Sequence, residues 1–170
     1  MYTYKIVEQV SRKTKKMTGV LRKMMVVLAV IFILLGICVL RAFMLPGFLM
    51  VLLYFAYDIL SVRDYEYTLD GNKFTIDVIL GKRYRRTAHE LDLGELEVTA
   101  PNTHESVAKY RVGSGSEKLP KFDYTSYDDD VPYYTMIIME KRKKIKILLD
   151  LNENMLRTLK TMYPDRVYIA

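Results

Sequence analysis

Two histidines, His89 and His104, are each followed by a glutamate. This is the opening of the H-E-x-x-H pattern, in which two imidazoles one helical turn apart bind zinc and the glutamate acts as general base. The second imidazole is missing in both places, where Leu93 and Ala108 stand instead. Neither pair completes a metal site, and both histidines are expected at exposed loops or strand ends. Asp128, Asp129 and Asp130 offer oxygen ligands, but the alternating spacing and closing glutamate of a calcium loop are absent, so a solvated acidic loop is expected. Gly113-Ser114-Gly115-Ser116 lacks the Lys-Ser/Thr pair and the strand-to-helix setting of a phosphate cradle and reads as a loop. The serines have no histidine–acid partners in sequence that would argue nucleophilic catalysis. Nothing in the chain calls for a cofactor or metal, and no enzyme is expected.

Two basic clusters carry the remaining chemistry. Lys82, Arg83, Arg85 and Arg86 follow a glycine turn, and Lys141, Arg142, Lys143 and Lys144, with Lys146, surround another turn. Either could face anionic lipid headgroups, or be a solvated hairpin end balanced by neighbouring acids. Alternation along a strand sends Arg83 and Arg85 one way and Tyr84 and Arg86 the other, so the first four cannot all meet one ligand.

The net charge of +6 comes from 26 Lys and Arg against 20 Asp and Glu. Residues 1–23 alone hold Lys5, Arg12, Lys13, Lys15, Lys16, Arg22 and Lys23 against Glu8, which accounts for the whole excess. The rest of the chain is neutral, unlike a nucleic-acid-binding domain with its charge spread over a folded face. Behind this arm, residues 24–40 (MMVVLAVIFILLGICVL) and 42–57 (AFMLPGFLMVLLYFAY) contain no charge. A hydrocarbon core needs about 20 helical residues, so the first run qualifies with Arg22 and Lys23 snorkelling, and the second is marginal unless Ile59, Leu60 and Val62 extend it. Two transmembrane helices are expected, with Pro46-Gly47 marking the break; a re-entrant wedge stays open as the alternative. A cleaved signal peptide would have a shorter apolar run and a small-x-small site. Cys38, the single cysteine, excludes a disulfide framework and is expected to be an inert, buried small hydrophobe. The basic residues Arg12, Lys13, Lys15, Lys16, Arg22 and Lys23 place both termini in the cytoplasm by the positive-inside rule.

From Asp64 the pattern changes to period two. Tyr65, Tyr67 and Leu69, the turn Asp70-Gly71-Asn72, and then Phe74, Ile76, Val78 and Leu80 predict a hairpin. RYRRTAHELDL supplies a third extended stretch; Leu93–Ala100 is ambiguous between strand and helix. Residues 102–131 read as polar loops, with a short strand near Lys109–Val112. YYTMIIME and KRKKIKILLDL are two strands joined by an exposed turn, and Asn152 caps a helix with Met155, Leu156, Leu159 and Met162 on one face, stopped by Pro164.

The order of elements, with YEYTLDGNKFTIDVILGKRYRR and ELDLGELEV within it, resembles bacterial membrane-tethered PH-like domains. The whole chain is similar to a family of small bacterial membrane proteins known as a domain of unknown function. The long polar insertion at 113–130 departs from the compact PH-like pattern. The expected architecture is a basic arm (1–23), a two-helix transmembrane hairpin (24–62) and a cytoplasmic α+β PH-like domain (63–170). The expected role is a non-enzymatic scaffold in the inner cell membrane that presents this domain to a protein partner; an anionic-lipid sensor is the alternative. The bilayer and a protein are the expected partners, self-association is left open, and nucleic acid is excluded.

Overall fold

The structure is a computed structural model and describes residues 5–13, 16–111 and 118–169. It divides into two compact units, one built mainly from Lys13–Arg63 and the other from the strands before and after that segment.

The strand unit begins before the helices. β1 (Lys5–Ser11) pairs antiparallel with β2 (Arg63–Asp70) over its full length, from Lys5 opposite Asp70 to Ser11 opposite Asp64. This corrects the reading of residues 1–23 as one basic arm. Ile6 and Val10 pack on the core while Lys5, Val7, Gln9 and Ser11 face outward, so a period-two pattern lies beneath the charges. β3 (Lys73–Leu80) and β4 (Tyr84–Asp92) complete a four-stranded meander in the order β1-β2-β3-β4. The Asp70-Gly71-Asn72 signal sits at the β2–β3 turn, where Gly71 has φ 55°.

The ambiguous stretch after β4 resolves into a 3-10 turn at Leu93–Glu95, capped by the Asp92 side chain, and then β5 (Leu96–Pro101). A second sheet has the order β5-β7-β8-β6, from β6 (Lys121–Asp123), β7 (Tyr134–Glu140) and β8 (Lys143–Leu149). β6 runs parallel to β8 and has no counterpart in the sequence reading. Glu105–Tyr110 is a 3-10 helix, which replaces the short strand expected around Lys109. The Gly113–Ser116 loop lies outside the described residues.

The two sheets share one core: Tyr67, Leu69, Phe74 and Ile76 from the first, and Met136, Ile138, Ile147 and Leu149 from the second. The C-terminal helix closes this core with Met155, Leu156 and Leu159; Met162, expected on the same face, is exposed. That helix is labelled α3 (Glu153–Met162), after the two helices described next. Asn152 caps it by accepting the Met155 N–H at 2.8 Å, and the Glu8 carboxylate of β1 accepts the Asn152 N–H at 3.1 Å. The outer face of the second sheet is covered as well. Val98, Ala100 and Ile137 pack there with Val107 and Tyr110 of the 3-10 helix. The segment after α3 adds to the free edge of β5 through Thr99, whose N–H donates to Arg166 O and whose O accepts from Tyr168 N, both at 2.8 Å.

The helical unit contains α1 (Lys16–Cys38), a 3-10 turn at Arg41–Phe43, and α2 (Met44–Ser61). The break therefore falls at Val39–Phe43, and Pro46-Gly47 lies inside the first turn of α2. Proline is tolerated there because the first N–H groups of a helix have no intrahelical partner. Gly47 serves packing instead of turning: a Cβ on it would stand 2.9 Å from Ile33 Cγ1 and 3.2 Å from the Ile33 backbone N. Both helices are long and apolar enough to cross a membrane, over Met17–Cys38 and Arg41–Ser61. Only 11% and 6% of their apolar windows are buried within the protein, whereas a helix at the core of a soluble domain is mostly covered. Cys38, at the end of α1, is exposed on the helix surface.

Candidate functional site

The first basic cluster divides. Arg85 is committed to structure: its Nε donates to Asp77 Oδ2 at 2.9 Å and its guanidinium also pairs with Glu66. Lys82, Arg83 and Arg86 are exposed and have no carboxylate partner among the described residues. Lys82 and Arg83 occupy the β3–β4 turn, where Gly81 and Lys82 both adopt the left-handed conformation (φ 58° and 62°). This turn belongs to the helical unit: the Gly81 N–H donates to Val62 O at 3.0 Å, and a Cβ on Gly81 would lie 2.9 Å from Ile59 Cγ2. Arg63 donates from Nε to Leu60 O at 3.4 Å, supplying a cation to the last carbonyls of α2. Near the same end of the hairpin Arg22 pairs with Asp58 at 2.7 Å, and Lys23 is exposed.

The second cluster divides in the same way. Lys141 and Arg142 form a two-residue turn with φ of 49° and 65°, and Lys143 beside them is exposed. Lys144 is drawn onto Glu97 at 2.8 Å, where Lys109 also binds at 3.0 Å and the Tyr110 hydroxyl donates. Partial burial would raise the Glu97 carboxyl, but the hydrogen bonds from Lys144, Tyr110 and Lys109 outweigh it and lower its pKa to about 2. Lys146 is buried, and its Nζ donates to Tyr110 O at 2.8 Å. Burial, with Lys121 and Arg111 nearby, lowers its pKa.

Of the basic arm, Arg12 lies in the strand unit. Its guanidinium sits 3.8 Å from the Tyr127 ring centroid and donates to Asp123 O and Oδ1 at 3.2 and 3.3 Å. Lys13 also makes an interaction, Lys16 opens α1, and Lys15 lies outside the described residues. The histidines are corrected. His89 is buried between the sheets, with Nδ1 3.0 Å from Glu140 Oε2 and its ring edge-on to Phe122 and Tyr124. It lies on the inward face of an edge strand, where a carboxylate from the facing sheet satisfies it. His104 caps the Glu105–Tyr110 turn, accepting the Ser106 N–H, and stacks on Tyr168. No group of three or more metal-ligating side chains occurs among the described residues.

One feature has no signal in the sequence, because its walls come from three separate segments. A cleft of about 510 Å³ opens on the strand unit beside the 124–133 loop. Pro101, Thr125, Leu148 and Asp150 are its buried lining, and Tyr127, Val131 and Tyr133 are exposed at its mouth. Its walls are held from behind. The Ser126 N–H donates to Asp150 Oδ2 at 2.7 Å, Asp123 Oδ1 accepts from Thr125 N and Oγ1, and Asn102 Nδ2 donates to Tyr133 Oη at 2.7 Å. Tyr127, left-handed at φ 60°, is fixed by Arg12. Asp123, Asp128, Asp129 and Asp150 line the cleft with Lys121, and Arg12 pairs with Asp123, so acids still outnumber bases and its field is negative.

The sequence of this chain matches the model of the bacterial PH-like domain family DUF6106 over residues 4–169. The chain belongs to this family. No curated protein and no solved structure matches it. The family match of this bacterial PH-like protein spans β1, both helices and both sheets.

Proposed function

We propose that this bacterial PH-like protein is a non-enzymatic, membrane-anchored interaction protein whose PH-like domain receives a protein partner at its acidic cleft. PH-like folds serve protein and lipid recognition, and the coarse reading of an interaction domain follows from the family. The observation that carries the finer reading is the cleft itself. Tyr127, Val131 and Tyr133 stand exposed around a preformed hollow, and aromatic side chains of this kind supply much of the energy at protein interfaces. The aspartates around them favour a partner segment that combines basic with apolar side chains. The ionisable groups of the strand unit speak against catalysis because they are used structurally: Asp150 binds Ser126, Asp123 binds Arg12, His89 binds Glu140 and His104 caps a turn.

In this reading the hairpin lies in the inner cell membrane with both termini in the cytoplasm. The pairing of β1 with β2 supports a common side, since these strands immediately precede and follow the hairpin and one residue, Val62, separates α2 from β2. Photo-crosslinking from position 127 or 133 of the full chain in living cells tests the partner site. A discrete adduct that disappears with Asp129→Lys is expected, and no adduct from either position overturns the reading. Reporters fused separately to the two ends test topology, and both should report the cytoplasm.

A further inference from the structure

The geometry points to a binding site for the phosphate of anionic phospholipid headgroups at the open end of the helical hairpin, made by Arg63, Lys82 and Arg83 with Tyr84 beside them. It rests on the membrane reading of the two helices.

The open end is where charge returns after the apolar spans. On α1 it is marked by Arg22 and Lys23, and on α2 by Asp58 and then Arg63. Arg22 is answered by Asp58, so this pair is neutral at the boundary. Arg63, Lys82 and Arg83 are not answered. All three are exposed, and no carboxylate reaches them among the described residues. Arg63 does serve the last carbonyls of α2, but Lys82 and Arg83 make no such bond, so complementing the helix end does not account for them.

Their position is built. The Gly81 N–H bonded to Val62 O brings the turn onto the end of α2, next to Arg63 in the chain. The missing side chain of Gly81 is what allows that approach to Ile59. Lys82 adopts a left-handed conformation with φ 62°. Tyr84 is 63% exposed, an amphipathic ring of the type enriched where a bilayer meets water. Three cations and an exposed tyrosine at the end of an apolar span are the chemistry of a headgroup layer. The other exposed basic turn, Lys141-Arg142, belongs to the strand unit and serves as the control.

The test places the full chain in nanodiscs of equal phosphatidylglycerol and phosphatidylcholine and counts the lipids retained on the released protein by native mass spectrometry. Retention enriched in phosphatidylglycerol is expected. Lys82→Gln with Arg83→Gln should reduce that enrichment by about fivefold per charge, and Lys141→Gln with Arg142→Gln should leave it unchanged. Excess inorganic phosphate should not displace the lipid; displacement would mean that the site reads a free anion, which overturns the inference. Equal retention of the two lipids, or equal loss from both variant pairs, also overturns it. A chain that enters nanodiscs yet shows no preference defeats this site alone, whereas a chain that never enters them defeats the membrane reading as well.

Discussion

Glu97 is where Lys144 of β8 and Lys109 of the 3-10 helix are neutralised, and its chemistry makes a direct statement about pH. Lys144, Lys109 and the Tyr110 hydroxyl all converge on one carboxylate, which ties the Glu105–Tyr110 turn to the face of the second sheet. Its folded pKa of about 2 lies below the ordinary glutamate value, so its contribution is fully present above that ordinary value. The contribution is lost as pH falls through the folded value. Glu97→Gln should therefore lower the midpoint of urea unfolding at neutral pH, and the gap from wild type should close as pH is lowered from about 4.5 towards 2. A constant gap across that range would show that the mutation acts through packing. Lys141 and Arg142 make a second prediction at this scale. Both occupy left-handed positions that Asn-Gly fills with less strain, so Lys141→Asn with Arg142→Gly should stabilise the protein by about 1 kcal/mol in the same assay.

Elements whose hydrophobic period stands out from their surroundings were legible in the sequence. β2 and β3 alternate cleanly, β7 is an apolar run buried on both faces, α3 carries a cap and an apolar face, and the two helices are uninterrupted apolar runs. β1 was hidden because Lys5, Glu8 and Arg12 draw attention to charge, although Ile6 and Val10 keep the core-facing period. The partner of β1 lies beyond the whole hairpin, and a strand that pairs across more than 50 residues gives no local turn signal. β6 is three residues long, and its parallel pairing with β8 likewise leaves no hairpin mark. For the same reason the cleft could not be read, while the basic clusters could be located but not sorted into paired and free. At the helices, Pro46-Gly47 looked like a turn because that pair commonly makes one; its glycine instead permits close approach to Ile33 and Ala29. Gly47→Val should destabilise the hairpin by about 1–3 kcal/mol through overpacking, as measured by detergent-denaturant titration. Gly19→Val, where a Cβ meets nothing within 4 Å, should cost much less and serves as the control.

For the whole molecule, the insertion of the hairpin between two paired strands determines which parts can fold alone. Residues 63–170 lack β1, and with it Ile6 and Val10 on the core, the Glu8 carboxylate on Asn152 and the Arg12 contacts with Asp123 and Tyr127. Each apolar side chain lost from such a position is worth about 1.5–3 kcal/mol at full burial, and a domain of this size is stable by only about 5–15 kcal/mol. The fragment should therefore unfold at lower urea with a broadened transition, and aggregate through the exposed edge of β2. The same topology supplies the remedy. Ser11 lies opposite Asp64 at the end of the β1–β2 ladder, so Arg12 and Arg63 follow as the next flanking residues. Replacing residues 13–62 with Asn-Gly should close a two-residue hairpin in register and give a water-soluble PH-like domain that unfolds in one cooperative step. If residues 63–170 prove as stable as this excised form, β1 contributes nothing and the domain boundary belongs after the helices. If only the excised form folds, the hairpin is an anchor grown into a turn of the domain, and membrane insertion and domain folding require the same strand pair.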